Sequence, residues 1–208
     1  MLLTLLLYIL LISLDWYDIL ILCYPIAICA MGCGFKVKIS SIGALLEKIL
    51  KNVYENKRKM KLCLLISAVS AWCVAILFGL QLLSHLIDGA FVTLAVAAGA
   101  AALGFITVTV SRKIINAKRP YEVYSFYIEP PRSKRGEAHP SRHCYSAAVI
   151  AVLSWLVSPW LTLGVSLLAL IIAATRVVTG VHFVRDVAAG LLIGAAFGGA
   201  GLLTLFLI

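Results

Sequence analysis

The residues best suited to chemistry in this sequence lie at 175–186, between two long apolar runs. Gly180 can end the preceding helix in a left-handed conformation, and the four-residue spacing predicts that His182 and Asp186 share one face of the next helix. A carboxylate beside a histidine fixes the ring tautomer, leaves one ring nitrogen free and stabilises a positive ring, so the histidine can act as a nucleophile or base. Arg176 adds a planar donor group suited to a phosphate. The alternative is a His–Asp pair that only satisfies its own hydrogen bonds.

The composition is that of an integral membrane protein. Of the 208 residues, 62% are hydrophobic, and the mean hydropathy of +1.04 is outside the range of soluble domains. The net charge is +9, but the basic residues interrupt apolar runs and form no soluble basic face, so no nucleic-acid partner is expected. None of the six cysteines forms a CxxC pair, which argues against a disulfide framework and against a zinc site.

The apolar runs predict an all-α membrane bundle with about six transmembrane helices, since about 20 residues cross the hydrocarbon core. The first span lies within about 10–34, and residues 35–61, with eight Lys or Arg, predict an amphipathic helix on the membrane surface. The other spans are predicted at 62–86, 90–110, 143–157, 160–174 and 187–208. The chain therefore divides into 1–61, an N-terminal span with a basic surface segment, and 62–208, a core of five spans.

The order of these spans places the polar segments together. If residue 62 starts on one side of the membrane, the chain returns to that side after the third and fifth spans. Residues 36–61, 111–142 and 175–186 then share one face, and this face carries all 18 Lys and Arg. The polar chemistry is therefore expected at one end of the bundle.

Two further clusters lie on this predicted face. Residues 112–120 place four cations at the end of the third span, where they could bind a phosphate or merely anchor the helix among lipid headgroups. Residues 140–143, Pro-Ser-Arg-His, start the fourth span, where backbone amides at a helix N-terminus bind anions. His139 and His143 are four residues apart and could be a metal pair, but the intervening Pro140 argues against one regular helix.

These three stretches resemble the signature motifs of the type 2 phosphatidic acid phosphatase family, whose fold is shared with the vanadium haloperoxidases. The family pattern is a Lys seven residues before Arg-Pro, then Pro-Ser-Gly-His, then Ser-Arg with a His six residues later and an Asp four beyond. Residues 112–120, 140–143 and 175–186 match it in order. The resemblance covers the chain from about residue 60 onwards.

The sequence departs from the family pattern at three positions. Arg112 replaces the Lys, although Lys113 is adjacent and could contact the phosphate instead. Arg142 replaces the Gly, which adds a cation and makes a diphosphate plausible as substrate. Thr175 replaces the Ser. Cys144 is an alternative nucleophile, but no separate base accompanies it.

The resemblance implies a role for each site residue. His182 is the nucleophile, Asp186 orients it, and His143 protonates the leaving lipid oxygen and later activates water. The residues that hold the phosphoryl oxygens are Arg112, Arg119, Ser141 and Arg176, with help from Arg142. No metal and no other cofactor is implied.

The expected activity is that of a lipid phosphatase. Candidate substrates are undecaprenyl diphosphate, phosphatidic acid and phosphatidylglycerol phosphate, held with their tails in the bilayer, and no obligate protein partner is evident. A lipid phosphotransferase with the same intermediate and a membrane protein that binds phospholipids without chemistry are the alternatives. The expected location is the cell membrane, with a multi-pass topology. The resemblance implies an extracytoplasmic active site, although the basic residues alone point to the cytoplasm.

Overall fold

The predicted all-α membrane bundle is confirmed in the part of the chain that the structure describes. A computed structural model describes residues 39–127 and 135–208, so the span predicted within 10–34 lies outside the described residues. Residues Gly43–Ile208 form one compact unit, and the packing below is that of this unit. The helices are α1 (Ile39–Glu55), α2 (Lys57–Ile87), α3 (Phe91–Ile115), α4 (Pro120–Val123), α5 (Arg142–Leu153), α6 (Pro159–Val178) and α7 (Val184–Leu207).

Four stretches are long and apolar enough to cross a membrane. They are Lys57–Ile87, Phe91–Val123, Pro159–Val178 and Val184–Leu207. In the most apolar 18 residues of each stretch, only 17–28% of the residues are buried inside the protein. Most of their apolar side chains therefore face outwards, as contact with lipid requires.

The span predicted at 143–157 is shorter than expected. Helix α5 has 12 residues and rises about 18 Å, whereas the hydrocarbon core is about 30 Å thick. It is followed by a 3-10 turn at Ser154–Leu156. Eight of its 12 residues are buried, and it packs against α3, α6 and α7. The side chain of Gln81 in α2 donates to the carbonyl of Leu153 at 2.8 Å, which satisfies the C-terminus of α5 inside the bundle. This helix is therefore the centre of the bundle.

Glycines bring α7 close to α5. Gly190 and Gly194 lie one turn apart on the face of α7 that meets α5. A Cβ atom would lie 2.5 Å from the carbonyl oxygen of Ser141 at Gly190, and 2.5 Å from that of Tyr145 at Gly194. Because only glycine allows backbones this near each other, this contact places the start of α7 beside the start of α5.

Of the basic segment predicted at 35–61 as one surface helix, residues 39–61 form parts of two helices. Helix α1 ends at Glu55, and the side chain of Asn56 accepts hydrogen bonds from the backbone N–H groups of Arg58 and Lys59 at 3.1 Å. An Asn in this geometry caps the N-terminus of a new helix. The last basic residues of the segment therefore begin α2, a spanning helix.

Candidate active site

The segment between α6 and α7 holds His182. Gly180 has φ +69°, and a Cβ atom there would overlap the hydroxyl of Tyr127, so the position needs glycine for its conformation and for space. The backbone N–H groups of Val181 and His182 both donate to the carbonyl of Arg176 at 3.2 Å. The left-handed Gly180 predicted from the sequence is confirmed. His182, however, lies in this turn and not on the helix that follows, because α7 begins only at Val184.

Asp186 is fully buried at the third position of α7. One carboxylate oxygen, Oδ2, accepts the backbone N–H of Phe183 at 3.0 Å and lies 3.9 Å from Nδ1 of His182. The separation of 3.9 Å exceeds hydrogen-bond length, but it is short enough for the carboxylate to stabilise positive charge on the ring. The other oxygen, Oδ1, lies 3.1 Å from Nδ1 of His139. The carboxylate thus faces two histidines, of which the motif reasoning anticipated only His182.

The environment of His182 favours its neutral form. The side chain is 3% exposed, and this burial lowers its pKa below the ordinary 6.5, although the carboxylate of Asp186 opposes the shift. Nδ1 faces Asp186, so Nε2 is the ring nitrogen left to act on a substrate. A neutral imidazole with a free Nε2 is the nucleophilic form of histidine.

Three buried arginines lie in the motif segments, and two of them, Arg112 and Arg119, act electrostatically on His182. Arg112, Arg119 and Arg176 are each 3–4% exposed, and with Asp186 they are the Asp, Glu, Lys and Arg residues that are buried among those the structure describes. Nη1 of Arg112 donates to the carbonyl of Pro140 at 2.9 Å, but its buried Nε has no hydrogen-bond partner among the described residues. A buried cation is costly unless it is paired, so the unpartnered Nε of Arg112 favours the binding of an anion.

The N-terminus of α5 adds uncharged donors. Ser141 precedes the helix, is fully buried, and its backbone N–H donates to the carbonyl of Asp186 at 2.9 Å. Within the described residues its hydroxyl caps no backbone N–H of α5. The hydroxyl and the first amides of α5 are therefore placed to bind the same anion as the arginines.

A short strap, residues 135–140, positions Arg119, and its anchors were missed at the sequence level. Glu122 accepts the backbone N–H groups of Arg119 at 3.1 Å and Gly136 at 2.8 Å, and Nε of Arg119 donates to the carbonyl of Gly136 at 2.9 Å. The side chain of Asn116 accepts the N–H of Glu137 at 3.2 Å. No local spacing reveals the contacts of Gly136 and Glu137, which join residues 14 to 21 positions apart.

The remaining predicted residues range from exposed to fully buried. His143 is exposed on the first turn of α5. Arg142, next to it, is partly buried, with its guanidinium 5.9 Å from the ring centroid of Phe105. Lys113 is exposed whereas Arg112 is buried, which favours Arg112 as the phosphate ligand. Cys144 points into the apolar core, so its thiol is unsuited to attack a substrate.

An aromatic cluster borders the site and links α1 to the turn that holds His182. Tyr54 of α1 packs edge-on against Tyr127, with 4.7 Å between ring centroids. Phe126 contacts both rings, and Tyr124 joins Phe126 to Phe183. Burial raises the pKa of Tyr127 to about 12. The sequence gives no local signal for this cluster, because its aromatic residues lie in three separate segments.

The arrangement is suited to phosphoryl chemistry. It joins a buried histidine beside a carboxylate to three cationic donors and a helix N-terminus, with a second histidine at the edge. Among the described residues, no group of three or more His, Cys, Asp or Glu side chains is placed to hold a metal ion. His139, which the sequence offered as half of a metal pair with His143, instead contacts Asp186.

Comparison with known proteins gives the same family as the motifs. The family described as the PAP2 superfamily matches residues 90–206. The crystal structure of Aquifex aeolicus LpxE is similar, with a TM-score of 0.58 and 24% sequence identity over 74% of this chain and 92% of that one. The first transmembrane PAP2 type phosphatidylglycerolphosphate phosphatase, from Bacillus subtilis, has a TM-score of 0.42 and 18% identity over 81% and 96%. No curated protein sequence matches.

Proposed function

Because the chain belongs to the PAP2 superfamily, we propose that it is a membrane lipid phosphatase that removes a phosphoryl group from a lipid phosphate or diphosphate. One observation carries the proposal: a buried His182, 3.9 Å from Asp186, lies in a site with three buried arginines. A protein that only binds phospholipids has no need for an oriented histidine. The four spanning stretches place the site in a membrane protein, where the lipid tail of a substrate can remain in the bilayer.

The first step transfers the phosphoryl group to His182. The lone pair on Nε2 attacks phosphorus while the bond from phosphorus to the lipid oxygen breaks, and the leaving oxygen takes a proton from His143. The product is a phosphohistidine whose ring carries positive charge, which Asp186 stabilises. The charge on the phosphoryl oxygens is met by the guanidinium groups and by the N-terminus of α5.

The second step returns the enzyme to its starting state. His143, now neutral, takes a proton from water as the water oxygen attacks phosphorus. The bond between phosphorus and Nε2 breaks, its electrons return to His182, and inorganic phosphate leaves. The exposed position of His143 at the edge of the site suits this role, because it must meet both the lipid oxygen and water.

No metal ion is required by this mechanism. A metal in a phosphatase neutralises phosphoryl charge and orients the phosphate. Here the buried side chains of Arg112, Arg119 and Arg176 supply positive charge and directed N–H donors at the same place. They are therefore assigned the role that a metal would otherwise have.

Arg142 bears on the choice of substrate. It stands where the family pattern has glycine, and its guanidinium lies at the edge of the site above Phe105. A second phosphate beyond the reacting one would meet this cation. Diphosphate lipids such as undecaprenyl diphosphate are therefore preferred, and phosphatidic acid and phosphatidylglycerol phosphate are the monophosphate alternatives.

In this proposal the protein lies in the cell membrane with its active site on the extracytoplasmic side. Cytoplasmic loops of membrane proteins usually carry an excess of Lys and Arg. The basic residues of the site are needed to bind phosphate, so they are not evidence that the site faces the cytoplasm. The cations of α1 and of the start of α2 favour the opposite orientation, with the site in the cytoplasm.

The activity is tested by measuring phosphate release from a panel of purified lipid phosphates and diphosphates. We expect release from at least one lipid by the wild type and none by His182→Ala. Transfer of the phosphoryl group to an added lipid or sugar acceptor, without release of phosphate, would instead identify a phosphotransferase. No reaction with any lipid would contradict the proposal.

A further inference from the structure

Each carboxylate oxygen of Asp186 has its own contacts. The histidine that contacts Oδ1, His139, lies outside the three family motifs. Nδ1 of His139 is 3.1 Å from Oδ1, whereas Oδ2 accepts the N–H of Phe183 and faces His182. Arg185 also approaches Oδ1, at 3.6 Å, but its side chain is 59% exposed. The side chain of His139 is only 19% exposed. His139 is therefore the ordered partner of this oxygen.

The chemistry of the contact fixes which group donates. An ionised carboxylate has only acceptors, so Nδ1 of His139 must carry the hydrogen. This hydrogen bond leaves the negative charge of Asp186 in place for His182. It also restrains rotation of the carboxylate, because a hydrogen bond to each oxygen defines the carboxylate plane.

The backbone around His139 is held on both sides. The N–H of Ala138 donates to the carbonyl of Ala117 at 2.9 Å, and the carbonyl of Pro140 accepts Nη1 of Arg112 at 2.9 Å. His139 therefore has little freedom to leave Asp186. This segment therefore contacts Arg112, which is assigned to the phosphate, through the carbonyl of Pro140. It contacts the carboxylate of Asp186 through the side chain of His139.

We infer that His139 is a positioning residue, which acts through Asp186 to hold Oδ2 towards His182. It does not itself contact the substrate. The inference rests on the proposed function, since it assigns His139 to the same phosphoryl transfer. It predicts that loss of the donor slows formation of the phosphohistidine and leaves binding of the lipid unchanged.

A matched pair of variants tests this role. His139→Asn keeps an N–H donor close to the position of Nδ1, whereas His139→Leu has nearly the shape of Asn and no donor. A hydrogen bond to a buried charged group corresponds to about a 10- to 100-fold change. We expect His139→Leu to lower kcat by this factor with KM nearly unchanged, and His139→Asn to remain within about threefold of the wild type. A wild-type kcat in His139→Leu, or equal losses in both variants, would overturn the inference.

Combining His139→Leu with Asp186→Ala shows whether the loss of kcat depends on the carboxylate of Asp186. In Asp186→Ala there is nothing to orient, so His139→Leu should lower the residual rate by less than about threefold. A further loss as large as in the wild-type background would mean that His139 acts elsewhere.

A readout without turnover separates this inference from the proposed function. With 15N-labelled histidine, the Nδ1 resonance of His182, assigned by its loss in His182→Gln, should shift in His139→Leu and not in His139→Asn. An unchanged resonance in His139→Leu would contradict the positioning role. If the wild type releases no phosphate from any lipid while this resonance shifts as expected, the proposed function fails and the positioning of His182 by His139 stands.

Discussion

Replacing Asp186 by Asn removes one negative charge beside His182 and leaves the size of the side chain almost unchanged. The charge lies 3.9 Å from Nδ1 of His182. At an effective dielectric constant of about 20, unit charges at this distance interact by about 4 kcal/mol, which corresponds to about a thousandfold in rate. The ring becomes positive only as the phosphohistidine forms, so the loss should appear in kcat. We expect Asp186→Asn to lower kcat about a thousandfold.

The assay is rapid quench with a lipid substrate that carries radioactive phosphate. A phosphohistidine is recognised as protein-bound label that is acid-labile and base-stable. The wild type and His143→Ala should show the label, and His143→Ala should retain it longer because its base for water is missing. Asp186→Asn should form the label slowly, and His182→Ala should form none.

An aryl phosphate provides the control for His143. Its leaving group scarcely needs a proton, so His143→Ala should spare this substrate more than the lipid, whereas His182→Ala should lose both. Wild-type label in His182→Ala would show that the nucleophile is another residue. A loss of less than about tenfold in Asp186→Asn would refute the charge argument.

Three further predictions concern the cations and the topology. Activity should survive EDTA, because the three buried arginines meet the phosphoryl charge, and a complete loss restored by magnesium would contradict the mechanism. Arg142→Gly should weaken turnover of a diphosphate lipid by about 1.5–3 kcal/mol more than turnover of a monophosphate, and equal effects would remove the preference for diphosphates. A cysteine at exposed Lys57 in a Cys-free protein should react with an impermeant thiol reagent in intact cells, and one at Asp88, at the other end of α2, only after permeabilisation. The reverse pattern would place the site in the cytoplasm.

The sequence predicted the helical class and the family, because both depend on local patterns. Apolar runs longer than about 18 residues predict spans by composition alone. The left-handed conformation of Gly180 follows from its place between an apolar run and His182. The three motifs lie at helix ends, where the polar segments of a bundle must collect.

The sequence did not predict the contacts that depend on how closely the helices pack. His139 reaches Asp186 across 47 residues because the glycines of α7 let that helix approach the start of α5, and no spacing rule encodes this distance. The predicted placement of His182 and Asp186 on one face of the same helix is wrong, since His182 precedes α7. Helix α5 was predicted too long because its apolar run continues into a 3-10 turn.

The three buried arginines have a consequence for the folded protein as well as for its reaction. Without an anion, the buried Nε of Arg112 has no partner among the described residues, so the free energy of unfolding should depend on what occupies the site. A ligand that binds only the folded state adds RT ln(1 + [L]/Kd), or about 2.7 kcal/mol at a hundredfold excess over Kd. Inorganic phosphate, the product, offers the arginines the same oxygens as the substrate. The released product should therefore both inhibit the enzyme and protect it against heat, and detergent preparations should last longer in phosphate buffers than in anion-poor ones.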